Sequence, residues 1–133
     1  MTKIQNPISI LLAIAAAYAA HISGLWVDIG AHPGWSQTAT IIGALIGLAL
    51  LIAVQFALIK MPSKSKFLHI GLAALVIVAY VATTIGKREF VNSFAENDLA
   101  GLFWYYGFIA FVGFLISALA LLFGKLQNKI KGA

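Results

Sequence analysis

No cysteine occurs in the 133 residues. That removes disulfide frameworks, thiolate metal sites, iron–sulfur clusters and cysteine nucleophiles. Carboxylates are nearly as scarce: Asp28, Glu89, Glu96 and Asp98 make up the whole set. Four long apolar runs, residues 8–27, 39–59, 67–86 and 99–123, contain no Asp, Glu, Lys or Arg. Ion-coupled transporters and proton pumps usually keep an ionisable group inside the membrane, so this absence counts against that class. Catalytic signatures are missing too. There is no HExxH and no phosphate-binding glycine loop. The hydroxyls of Ser9, Ser23, Thr83, Thr84 and Ser117 have no base beside them, and His21 and Ser23, two apart on a helix, point away from each other. No catalytic residue is assigned, and an enzyme is not expected.

Apolar residues fill the chain instead. They make up 62% of it, against 10% charged, where a soluble domain averages roughly 45–50% and 25%. A membrane-crossing helix needs about 20 apolar residues, and each of the four runs meets that length. The expected fold is therefore all-α: a single transmembrane domain, a four-helix bundle running up-down-up-down. The net charge is +5, but the basic residues sit in short clusters between the runs and have no host domain for a nucleic-acid surface. Membrane lipid and a membrane-protein partner or second copy are the expected partners; nucleic acid is not.

Topology follows from where the lysines fall. Lys3 precedes the first run, Lys60, Lys64 and Lys66 separate the second from the third, and Lys125, Lys129 and Lys131 follow the fourth. The opposite side carries Lys87 and Arg88. Both termini are expected in the cytoplasm, in a compact protein suited to a bacterial inner membrane. Lys3, the apolar core after it and Ala17-Tyr18-Ala19 also fit a cleavable signal peptide; we read the segment as an uncleaved anchor.

Small residues form stripes. Ala13, Ala17, Ala20 and Gly24 mark the first run, and Gly43 and Gly47 make a GxxxG in the second. Gly107 and Gly113 lie on one side of the fourth run, opposite Trp104, Tyr105, Phe108 and Phe111. Stripes of this kind let backbones approach where lipid supplies no hydrophobic drive between helices. The small side of the fourth run is expected inward and the aromatic side towards lipid. The third run is two-faced at about 100° per residue. Gly71, Ala74, Val78 and Ala82 line one side; His69, Ala73, Tyr80 and Thr84 line the other. Between runs, Trp26 and Trp35 are expected to bracket a membrane boundary, Ser36 or Thr38 to cap the second helix, and Asn97 or Asp98 to cap the fourth. Phe90 and Phe94, four apart, would share one face of a short interfacial helix.

Three constellations could carry chemistry. His21, Asp28 and His32 combine imidazole and carboxylate ligands on the outer side, a donor set suited to a first-row metal. A haem held by two histidines is disfavoured, because His21 and His69 fall a membrane thickness apart. No cofactor is expected. The His69, Tyr80 and Thr84 ladder, with Gln55 nearby, would line a slot for a quinone, lipid or small solute if it faced the interior. The leading expectation is a small non-catalytic membrane protein acting through helix packing, as a subunit or assembly factor of a larger complex or as a homo-oligomer. Leucine at Gly43 or Gly47 is expected to break that association. A binding or transport unit along the polar ladder is the alternative, and a membrane enzyme built on the outer His/carboxylate set a weaker one.

Overall fold

The computed structural model describes residues 6–132, which are all-helical, with no strand. The elements are α1 (Pro7–Ile22), α2 (Leu25–Asp28), α3 (Ser36–Lys60), a 3-10 turn (Pro62–Lys64), α4 (Ser65–Asn92) and α5 (Asp98–Lys131). Lys3 lies outside the described residues. Three helices are long and apolar enough to cross a membrane: α3, α4 with its leading turn, and α5.

Local chemistry sets the boundaries. Asn6 caps α1, its side chain accepting from Ile8 N at 3.0 Å, and Pro7 takes the first helical position, where its missing N–H costs nothing. The expected helix over residues 8–27 is broken in two. Gly24 adopts φ +81°, the left-handed conformation that ends helices and that glycine takes without strain. At 16 residues α1 is about 24 Å long, below the roughly 30 Å hydrocarbon core. Asn97 caps α5 by accepting from Ala100 N at 3.1 Å. Trp35, not Ser36 or Thr38, holds the cap position of α3, without a side-chain bond.

α4 runs past Gly86 to Asn92, because Lys87, Arg88 and Glu89 are good helix formers and no proline interrupts them. The short interfacial helix expected around Phe90 and Phe94 is thus absent. Phe94 and Ala95 take positive φ (54° and 64°) in the turn, which throws Phe94 outwards to 92% exposure. Phe90 instead lies on Trp104, with ring centroids 5.7 Å apart.

The centre of the molecule is α5. α1, α3 and α4 all pack on α5, while α3 and α4 barely touch each other. On the α3 side a Cβ on Gly43 would meet Val112 Cγ1 at 2.6 Å, and one on Gly47 would meet Gly113 O at 2.9 Å. Ser117 Oγ crosses this seam to donate to Gly47 O at 2.7 Å. On the α4 side a Cβ on Gly86 would meet Trp104 N at 2.5 Å, and one on Gly107 would meet Thr83 N at 3.0 Å. Thr83 Oγ1 donates across to Trp104 O at 2.7 Å. Each seam therefore combines backbone closeness with a hydroxyl-to-carbonyl bond, the two forces available where lipid competes with every apolar contact. At about 100° per residue the two seams fall on nearly opposite sides of α5.

Two orientations differ from the sequence reading. The aromatic side of α5 faces in: Trp104, Phe108 and Phe111 are buried against α2, residues 29–35 and α4. A helix packed on several sides has no single inward face, so a two-sided reading of its sequence assigned one side wrongly. On α4 the buried residues are Leu72, Ala79, Thr83 and Gly86, a stripe about a quarter-turn from both expected faces. Gly71, Ala74 and Val78 are consequently exposed. The GxxxG of α3 is spent inside the chain, so leucine at Gly43 or Gly47 would break this fold before any association.

Candidate functional site

The most elaborate side-chain arrangement lies where α2 and residues 29–35 close over α4 and α5. Gly24 turns the chain, α2 drops Trp26 into the core at 3% exposure, and Ala31 follows at 2%. Trp26 meets Phe108 and Phe111 edge-on, at 5.8 and 6.1 Å between centroids. Trp35 stands edge-on to Trp104 and Tyr105, at 5.7 and 5.3 Å. Two hydrogen bonds pin the connecting backbone: Trp104 Nε1 donates to Gly30 O at 2.8 Å, and Tyr80 OH donates to Ile29 O at 3.0 Å. Trp26 Nε1 is buried with no partner. Trp26 is thus a core ring of this cap, and Trp35 a half-buried ring packed against it. Trp26 sits two residues after a helix-breaking glycine, and that spacing was the available signal that it would fold back.

Beside the cap is a cavity of about 160 Å³ lined by Asp28, Gly30, Tyr80, Thr83, Thr84 and Lys87. The Lys87 ammonium also lies 5.8 Å from the Trp104 ring centroid. Tyr80 and Thr84 share this cavity, but their hydroxyl protons are committed, Thr84 Oγ1 donating to Tyr80 O at 2.9 Å. His69 is elsewhere. Eleven residues before Tyr80 on the same helix, it lies about 16 Å away along the axis, with Nδ1 2.6 Å from Ser65 O. Gln55 belongs to α3, which barely meets α4. The polar ladder is therefore not one slot.

The outer His/carboxylate set is not gathered either. His21 Nδ1 pairs with Ser36 Oγ at 3.2 Å, and His32 Nδ1 accepts from Gly34 N at 2.9 Å. Among the described residues no three His, Asp or Glu side chains come together as metal ligands. The imidazoles here act as local hydrogen-bond partners that hold the turn entering α3.

Comparison with protein-family models, with curated proteins and with solved structures returns no match. Function is therefore argued from this geometry alone.

Proposed function

We propose that the chain is a small, non-catalytic, multi-pass membrane protein that works by presenting a helix face to another membrane protein or to a second copy of itself. α1, at 16 residues the shortest of the four long helices, serves as a fourth pass beside α3, α4 and α5. Lys66 and Lys125 line one cleft, so the α3–α4 turn and the end of α5 share a side; the positive-inside tendency makes that side cytoplasmic, with both termini there.

The observation that carries the reading is the outer face of α4. Gly43, Gly47, Gly86, Gly107 and Gly113 each abut a neighbouring helix of the same chain, yet a Cβ on Gly71 would meet nothing within 4 Å. Gly71, Ala74 and Val78 form an exposed small-residue stripe. Lipid has no use for small residues; an approaching helix does.

The test is Gly71→Leu combined with Ala74→Leu, followed by mass determination in mild detergent. The expected result is loss of a second copy or bound partner, with unchanged helicity and tryptophan fluorescence. A wild-type protein that purifies as a single chain without companions, or an assembly indifferent to the double substitution, would refute the proposal.

A further inference from the structure

The end of the molecule remote from the aromatic cap carries a second cleft. The 3-10 turn, the start of α4 and the end of α5 border an open groove of about 510 Å³, lined by Ser63, Ser65, Lys66, His69, Ile70 and Lys125. We propose that this cleft holds the headgroup of an anionic phospholipid, a phosphodiester bearing a hydroxylated head, in the leaflet on the lysine side. The inference rests on membrane placement and not on association through α4.

Charge is the first argument. Lys60, Lys64, Lys66, Lys125 and Lys129 gather around this end, and all four carboxylic residues lie towards the other. Among the described residues the one ion pair is Arg88 with Glu89, at that other end. The lysines are not equivalent. Lys60 lies over the Phe56 ring at 4.7 Å, and Lys64 over Phe67 at 5.7 Å. Lys66 and Lys125 come from two different helices and line the cleft with no such ring beneath them. Two exposed lysines that line one groove from different helices, with no carboxylate among its lining residues, offer a seat for a phosphate.

The remaining lining fits the rest of a lipid. The Ser65 carbonyl can only accept, so His69 Nδ1 carries the proton of their 2.6 Å contact. In the neutral ring Nε2 is then an acceptor, suited to a headgroup hydroxyl. Ser63 adds a further hydroxyl at the rim. Ile70, 57% exposed, continues the cleft as an apolar wall where an acyl chain would begin.

The test is native mass spectrometry of protein released from vesicles of equimolar phosphatidylcholine and phosphatidylglycerol. The wild type should retain phosphatidylglycerol selectively. Lys66→Gln with Lys125→Gln should weaken that preference about tenfold to thirtyfold, and Lys125→Gln alone should give part of the loss. Lys66→Arg with Lys125→Arg should keep the preference. Lys129→Gln with Lys131→Gln, which removes the same charge outside the cleft, should also keep it. Circular dichroism confirms folding of each variant. Equal retention by wild type and Lys66→Gln/Lys125→Gln overturns the site. Equal loss in Lys129→Gln/Lys131→Gln overturns it in favour of general surface potential. Displacement of the lipid by millimolar inorganic phosphate overturns the lipid assignment in favour of a soluble phosphate.

Discussion

Two glycines on one helix should respond to the same methyl group with opposite signs. At Gly86 an added Cβ would stand 2.5 Å from Trp104 N, 2.7 Å from Ala100 O and 2.9 Å from Phe103 C, all of them backbone atoms that cannot rotate away. Ordinary contact begins at 3.4 Å, so Gly86→Ala requires α4 and α5 to part locally by about 0.9 Å. Overpacking of this kind costs about 1–3 kcal/mol. The same movement would stretch the 2.7 Å bond from Thr83 Oγ1 to Trp104 O beyond hydrogen-bonding range, a further cost of about 1 kcal/mol. Alanine returns about 0.5–1 kcal/mol as the better helix former, leaving a net loss of about 1–3.5 kcal/mol. At Gly71 nothing lies within 4 Å, so Gly71→Ala collects only the helix-forming gain and should stabilise the monomer by about 0.5–1 kcal/mol. Reversible unfolding in mixed micelles, followed by tryptophan fluorescence at concentrations where the chain is single, measures both. A Gly86→Ala variant as stable as the parent would refute the close approach of α4 and α5. Equal destabilisation at the two positions would show that glycine is needed along α4 for its backbone freedom instead.

Ser117→Ala removes the bond to Gly47 O and should cost about 0.5–1.5 kcal/mol in the same assay; an unchanged midpoint would show that the bond has no net worth. Trp104→Phe keeps a ring but loses the bond from Nε1 to Gly30 O, so amide exchange across residues 29–35 should rise, with α3 unaffected. Tyr80→Phe removes the neighbouring anchor at Ile29 O and should raise exchange in the same segment. Because both anchors hold one short stretch of chain, the double variant should depart from additivity; strict additivity would mean that the two bonds act separately.

Features decided within a few neighbouring residues were legible in the sequence. Pro7 opening α1 and Asn97 capping α5 are both local matters. Polarity also marked the helices: three apolar runs each became one helix, and the first became two pieces parted at Ser23 and Gly24. What could not be read was which helix the others surround. The stripe of Gly107 and Gly113 and the ring side of α5 each resemble a packing face, and both are, since the helix is covered on several sides. The same ignorance misplaced α4: its buried stripe through Leu72, Ala79, Thr83 and Gly86 is set by where α5 lies, not by the contrast between its small and polar faces. Gly24 was read as part of a small-residue stripe. Its positive φ is a local helix-ending conformation; that residues 25–35 then fold over the rings of α5 depends on tertiary contacts. The polar ladder failed for a geometric reason: His69 and Tyr80 share a helix face but lie about 16 Å apart along it.

Placing the hub helix after its clients in the chain has a consequence for biogenesis. On the membrane placement proposed above, α3 and α4 would enter the bilayer as a hairpin whose arms scarcely meet, and α1 would wait with its alanine face uncovered. Apart from the contact of α1 with α3, the packing surfaces of these parts are completed by α5. Assembly should therefore be a late, nearly all-at-once event, and a ribosome stalled before Ser117 would leave a set of inserted but undocked helices, open to membrane proteases.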